Sequence, residues 1–281
     1  MSARLRVAIA SYGPNQFALI STTLAAFGHE PTVYLMSRSM RPNTPPEPDV
    51  FDGIAATISA IPAGIGLLLP SGPADLYPMM SGFAVDLLVV FGFNWRIPDD
   101  VIFAPRHGTL NIHPSLLPRY RGPSPIPWAI RNGDKELGVT IHRMTETMDG
   151  GPILTQASVG DLPEVVSHAD TWRMMQSGLP ALLGDAISRA LEGDEGIPQS
   201  EEAVSDAPFP PAEWNEISWN QSRWDAHNQI RVFRFLHGSA GPVVELDGRR
   251  IQILRTSLSE RRGPVVQCAD GPLWISDHAP A

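Results

Sequence analysis

Apolar and polar residues alternate along the chain in two rhythms. Short continuous apolar runs occur at residues 4–11 (RLRVAIAS), 31–37 (PTVYLMS), 64–71 (GIGLLLPS) and 84–93 (AVDLLVVFGF). Runs of this length bounded by turn residues read as strands buried on both faces. Between them the spacing becomes helical: Phe17, Ile20, Leu24 and Phe27 fall on one stripe, with Gly28 placed to end that helix, and residues 51–61 (FDGIAATISAI) follow the same period. Residues 38–50 (RSMRPNTPPEPDV) are proline-rich and polar and read as a loop. Strands alternating with helices predict an α/β fold, a doubly wound and mostly parallel sheet.

Farther along, residues 169–194 form a helical pattern around Pro180, and residues 198–211 read as a linker. The rhythm then changes to period two. Residues 242–258 predict a hairpin turning at Asp247 and Gly248, and residues 263–277 a second turning at Asp270 and Gly271. The expected organisation is a core domain over residues 1–197, a linker over 198–213 and a small β-rich, OB-like C-terminal domain over 214–281.

Composition narrows the function classes. The 281 residues carry 21 Lys and Arg against 30 Asp and Glu, a formal charge of −9, so the surface as a whole repels polyanions at long range, while a local basic patch could still bind RNA. No apolar run reaches the roughly 20 residues of a membrane span. The two arginines ahead of the first run resemble a signal peptide only faintly, since that run has strand length and a helix follows it. One cysteine, Cys268, excludes an internal disulfide and fits a reducing cytoplasm. Pro is abundant at 28 residues, which predicts many stiff loops. The first strand-to-helix turn, SYGPNQ, lacks the spaced glycines of a dinucleotide site, and no His, Glu or Cys cluster has metal-ligand spacing, so no metal is expected.

The chemistry concentrates in residues 111–122, NIHPSLLPRYRG. In an extended chain Asn111, His113 and Ser115 share one face, a costly arrangement in a core and a useful one at the carboxyl end of a parallel sheet, where ligands collect. Residues 138–154 (GVTIHRMTETMDGGPIL) add a strand followed by a loop that presents Asp149. Asn, His and Asp together suit acyl or formyl transfer: Asn111 donates to a carbonyl oxygen that gains charge, His113 stabilises that oxygen or relays a proton, and Asp149 orients the imidazole. Ser115 either takes part directly or caps a helix. Arg119 and Arg121 either cover the loop with solvated charge or meet an anionic part of a substrate. Trp214, Trp219 and Trp224 read as core packing rather than as a stacking platform. His29, His107, His168, His227, His237 and His278 read as structural or surface groups.

NIHPSLLPRYRG, followed by GDKELGVTIHRM and MDGG, closely resembles the folate-dependent formyltransferase family, whose members act on methionyl-tRNA, glycinamide ribonucleotide, nucleotide-linked aminosugars or hydroxyornithine, or hydrolyse formyltetrahydrofolate. The resemblance is strong over residues 85–156, fair over the first strand and helix, and weaker after Ile217, where ISWNQSRWDAHNQIRV and the hairpins resemble the C-terminal unit of the methionyl-tRNA enzyme. It implies a formyltransferase Rossmann-like core and a catalytic triad of Asn111, His113 and Asp149. It implies 10-formyltetrahydrofolate as formyl donor, its pterin near Phe93, Asn94, Trp95 and Ile97 and near Thr147, Met148 and Asp149. Ser115, Arg119 and Arg121 would face the acceptor. Where several members have Leu-Asp-Thr-Gly this chain has Met-Asp-Gly-Gly, which predicts a looser loop.

The expected activity is N-formyl transfer to a small-molecule amine: an aminosugar, an amino acid derivative or a natural-product intermediate. Methionyl-tRNA formylation is the alternative, disfavoured because the loop after the second strand carries only Arg38 and Arg41 against Glu47, Asp49 and Asp52. Formyltetrahydrofolate hydrolysis is a third reading, and folate binding without turnover a fourth, opposed by retention of the whole triad. The sequence leaves open the acceptor, the oligomeric state, and whether His142 or Arg121 joins acceptor binding.

Overall fold

In the computed structural model residues 5–238, 240–246 and 248–281 are described. Arg4, in the first apolar run, and Asp247, in the expected hairpin turn, lie outside them. The chain divides into two compact units: the described residues of Met1–Pro118 with Val139–Ala157 and Gly178–Val204, and Arg119–Gly138 with Ser158–Ser177 and Ser205–Ala281.

The first unit is built on β1 (Arg6–Ser11), α1 (Pro14–Ala26), β2 (Glu30–Leu35), α2 (Pro48–Ala60), β3 (Gly66–Leu68), α3 (Pro73–Ser81), β4 (Leu87–Phe91), α4 (Asp99–Ile102) and β5 (Thr109–His113). Its sheet has the order β3-β2-β1-β4-β5-β6-β7, completed by β6 (Glu136–Arg143) and β7 (Ile153–Asp161). Strands β1 to β5 pair in parallel, and β6 runs antiparallel to β5. This is the doubly wound, mostly parallel sheet that the alternation predicts.

The apolar runs at residues 4–11 and 84–93 supply the adjacent central strands. Val7, Ala8, Ile9 and Ala10 of β1 and all five residues of β4 are buried, as strands covered on both faces must be. After β3 the chain crosses to the other side of β1 to make β4, so strand order reverses between β1 and β4. The carboxyl ends of the strands at such a reversal form a crevice.

Helix α1 buries Phe17, Ile20 and Leu24 and ends at Ala26, with Gly28 in the left-handed region at φ 78°. Phe27 is half exposed, its ring lying so close to Gly184 that a Cβ there would sit 2.0 Å from it. Proline proves to be a helix starter as well as a loop stiffener: it occupies the first turn of α1, α2, α3 and α5 (Pro125–Arg131), where its missing N–H costs nothing. Helix α6 (His168–Leu191) continues through Pro180. No helix among the described residues is long and apolar enough to cross a membrane.

The second unit holds α5, a short 3-10 turn (Ala212–Asn215), α7 (Arg223–Leu236) and a four-stranded antiparallel sheet, order β10-β11-β9-β8. Its strands are β8 (Val243–Leu246), β9 (Arg249–Ser257), β10 (Val265–Cys268) and β11 (Gly271–Pro280), so both expected hairpins form. The Ser222 side chain caps α7 by accepting from the Asp225 backbone N–H. Ala226 and Ile230 of that helix pack on Ile253, Leu273 and Ile275. Trp214 is buried edge-on against Trp128 and Trp219 packs on the sheet core, while Trp224 is half exposed and covers Gly133.

His227 is buried in this unit with Nδ1 2.8 Å from the Thr256 hydroxyl, and burial, reinforced by Arg231, pushes its pKa down to about 4. The unfolded chain therefore binds a proton near pH 6.5 that the folded one refuses until about pH 4, so stability is lost as the pH is lowered through that window. The stability advantage of the native chain over His227→Gln is expected to shrink by roughly 3 kcal/mol between these limits. Chemical denaturation of both proteins at several pH values checks this; a constant difference would refute it.

Candidate active site

The site is built where β5 meets β6. Val90, near the carboxyl end of β4, pairs with Asn111, and β6 sets His142 opposite Asn111 and Thr140 opposite His113. Alternation does the rest. Leu110, Ile112, Val139 and Ile141 turn into the core, so the polar residues between them share the other face.

Asp149 reaches this face from the loop after β6. Its backbone is in the left-handed region at φ 50°, a conformation that Asp tolerates better than most residues. The carboxylate accepts from Asn111 Nδ2 at 3.0 Å through Oδ1, and Oδ2 lies 3.6 Å from His113 Nδ1. Oδ1 is also 3.6 Å from His142 Nε2. The structure thus brings Asn111, His113 and Asp149 together, and His142 with them. His113 is 4% exposed, so the carboxylate acts on the ring where water screens little.

The loop bearing Asp149 is clamped, contrary to the looseness its two glycines suggest. Gly150 N–H donates to the Thr147 carbonyl at 3.1 Å, and the Gln199 amide donates to the carbonyls of Asp149 and Gly151 at 2.7 and 2.8 Å. At Gly151 only glycine fits, because a Cβ would sit 1.8 Å from the Arg143 carbonyl oxygen.

A second knot holds the loop after β5. Thr140 Oγ1 donates to the Ser115 carbonyl at 2.7 Å and accepts from Leu117 N–H and the Gln156 amide at 3.1 and 2.7 Å, using its one proton and both lone pairs. Gln156 also donates to the Leu117 carbonyl. Ser115 is buried, and the next helix, α5, starts only at Pro125, so Ser115 caps none.

The other candidates are scattered in role. Phe93 stacks edge-on with Trp95, whose rings are 5.7 Å apart. Trp95 is buried, and Ile97 packs into the sheet core with Val101 and Ile102. Asn94 donates to the Ser37 hydroxyl at 2.7 Å. Thr147 and Met148 are exposed. Arg96 donates to the Glu146 carbonyl at 3.0 Å and ties the loop after β4 to the loop of Asp149. In the second unit the Arg119 guanidinium pairs with Asp134 at 2.9 Å and covers the Tyr120 ring, and the Arg121 backbone pairs with that of Asp206.

Sequence reasoning missed Gln199, Gln156 and Thr140. For Thr140 a signal existed, since it falls two residues from His142 on the polar face of an alternating strand. Nothing local marks the two glutamines, which act across long sequence separations.

A family model described as formyl transferase matches residues 71–179. Methionyl-tRNA formyltransferase of Synechococcus sp. (strain JA-3-3Ab) is 34% identical over 198 residues, covering 70% of this chain and 60% of that protein. This chain therefore matches less than two thirds of that relative's length. Methionyl-tRNA formyltransferase of Neisseria gonorrhoeae (strain NCCP11945) is 30% identical over 221 residues, 74% of this chain and 71% of that one. Among solved structures, the N-formyltransferase from Helicobacter canadensis in complex with folinic acid and dTDP-3-aminofucose has the same fold. Its TM-score is 0.68 at 18% identity, over 98% of this chain and 100% of that one.

Proposed function

Because this chain belongs to the folate-dependent formyltransferase family, we propose that it moves the formyl group of 10-formyltetrahydrofolate to the amine of a small-molecule acceptor. The observation that carries this reading is the convergence of Asn111, His113 and Asp149 on one face, around the buried His113 ring, with Asp149 in reach of both partners.

The residues of the first unit suit such a donor. Trp95 Nε1 is buried without a hydrogen-bond partner, beside Phe93, which itself packs against the apolar cluster that includes Ile97 and Val101. An orphaned donor in an apolar setting matches a flat ring system with acceptor atoms at its edge. When bound, the donor supplies a formyl carbon attached to a nitrogen that can leave. His113 takes the proton that the acceptor amine sheds as the new C–N bond forms, and returns it to the nitrogen released when the old C–N bond breaks. Asn111 donates an N–H to the oxygen that gains charge between these steps. Asp149 holds the imidazole in position and stabilises its charged form.

The Helicobacter canadensis enzyme, crystallised with a nucleotide-linked aminosugar, is matched along its whole length, which supports an acceptor of that class. The sequence relatives favour a second reading, methionyl-tRNA formylation. Against it stands the net charge of −9, since a tRNA acceptor arm is held by many phosphate contacts.

Release of tetrahydrofolate from 10-formyltetrahydrofolate by the purified protein decides among these. Release that requires a nucleotide-linked aminosugar or an amino acid derivative is the expected result, with no specific binding of initiator methionyl-tRNA at physiological salt. Ordinary turnover of methionyl-tRNA would replace the small acceptor by the tRNA, and equal release without any amine would make the protein a hydrolase.

A further inference from the structure

His142 stands directly opposite Asn111 across the β5–β6 pair and is 1% exposed. Its hydrogen bonds fix its proton. Nδ1 lies 2.9 Å from the Arg143 carbonyl oxygen, which can only accept, so Nδ1 carries the hydrogen. Nε2 lies 3.1 Å from Asn111 Nδ2, which can only donate, so Nε2 is a bare acceptor and the ring is neutral.

The Asn111 amide nitrogen then donates toward two acceptors, the Asp149 carboxylate at 3.0 Å and His142 Nε2 at 3.1 Å, which stand 3.6 Å from each other. Turning the amide over would place its oxygen against the carboxylate and the Nε2 lone pair, two acceptors that repel it. The two bonds are unequal. The bond to Asp149 is charge-assisted, whereas the bond to His142 joins two neutral groups and is the weaker. An oxygen gaining negative charge beside Asn111 can share or take over the N–H held by His142, since three-centre bonds of this kind form readily.

We propose that His142 is a positioning residue for formyl transfer: its neutral Nε2 holds the Asn111 amide nitrogen turned toward the reacting oxygen and yields an N–H to it. This rests on the formyl-transfer reading of the site. His142 makes no contact with substrate in this role and acts through Asn111.

Imidazole ¹⁵N resonances of the full chain at neutral pH test the geometry without any assay. The expected spectrum has His142 protonated at Nδ1 and unprotonated at Nε2, with the Nε2 resonance moving in Asn111→Ala. A proton on Nε2, or no change in Asn111→Ala, overturns the proposal. Kinetics test the role. His142→Phe keeps a ring but no acceptor, and kcat is expected to fall about 10–100-fold, as for a reacting group held slightly out of place, while KM for the formyl donor stays within about twofold. His142→Gln, whose side-chain oxygen can accept, is expected to recover most of the loss. A Phe variant with wild-type kcat, or a folded Gln variant no better than Phe, overturns the proposal. If the native chain transfers no formyl group at all, the formyl-transfer reading itself fails, and the proposal with it, whatever the ¹⁵N spectrum shows.

Discussion

His113→Ala is expected to lower formyl transfer by about 10²–10³-fold, the usual cost of removing a group that stabilises a developing oxyanion or moves its proton. The ring occupies the last position of β5, where its backbone pairs with Thr140 whatever side chain it carries. The fold should therefore survive, at the cost of a small cavity beside Asp149. Donor affinity should hardly change, because the apolar cluster around Phe93 and Ile97 is untouched. Turnover of tetrahydrofolate, calorimetric binding of folinic acid and a thermal melt of the same preparation separate these effects. Retention of more than about a tenth of native turnover would remove His113 from the catalytic machinery. Loss of folinic acid binding together with turnover would make it a binding residue instead.

How far this site could be read without coordinates depends on the range over which each residue acts. The strands β1 and β4 are legible because burial on both faces leaves a continuous apolar run, and β5 is legible because its apolar alternation ends in Asn111 and His113. Asp149 was reachable because one loop connects β6 to it. His142 was visible as a residue but not as a contact: its role follows from the β5–β6 register, and register is a pairing between strands about 30 residues apart. Gln199 lies beyond any such rule. It clamps the carbonyls of Asp149 and Gly151 from about 50 positions away, by two hydrogen bonds that leave no periodic trace. The two glycines after Asp149 misled for the same reason. Local chemistry predicts freedom there, while Gly151 is required by the approach of the Arg143 carbonyl and the loop is held from outside.

Asp149→Asn isolates the charge from the architecture. Asn adopts the left-handed backbone at this position as readily as Asp, and its side-chain oxygen can still accept from Asn111, so the clamped loop should keep its shape. What disappears is the negative charge 3.6 Å from His113 Nδ1. An adjacent anion favours the imidazolium, so removing it lowers the proton affinity of His113. In the proposed mechanism the acidic limb of the activity profile marks the pH at which His113 gives up its proton to act as base. That limb is expected to move to lower pH. The height of the profile should fall on the order of 10²-fold or more, because the imidazolium formed during transfer loses its counter-charge and the new amide N–H₂ competes to donate where only acceptors stood. Steady-state rates from about pH 5 to 9, with a melt at each pH, read both changes. A profile of native height and position would reduce Asp149 to a residue that shapes its loop. A fall in height with the acidic limb unmoved would mean that the proton seen in the profile belongs to another group than His113.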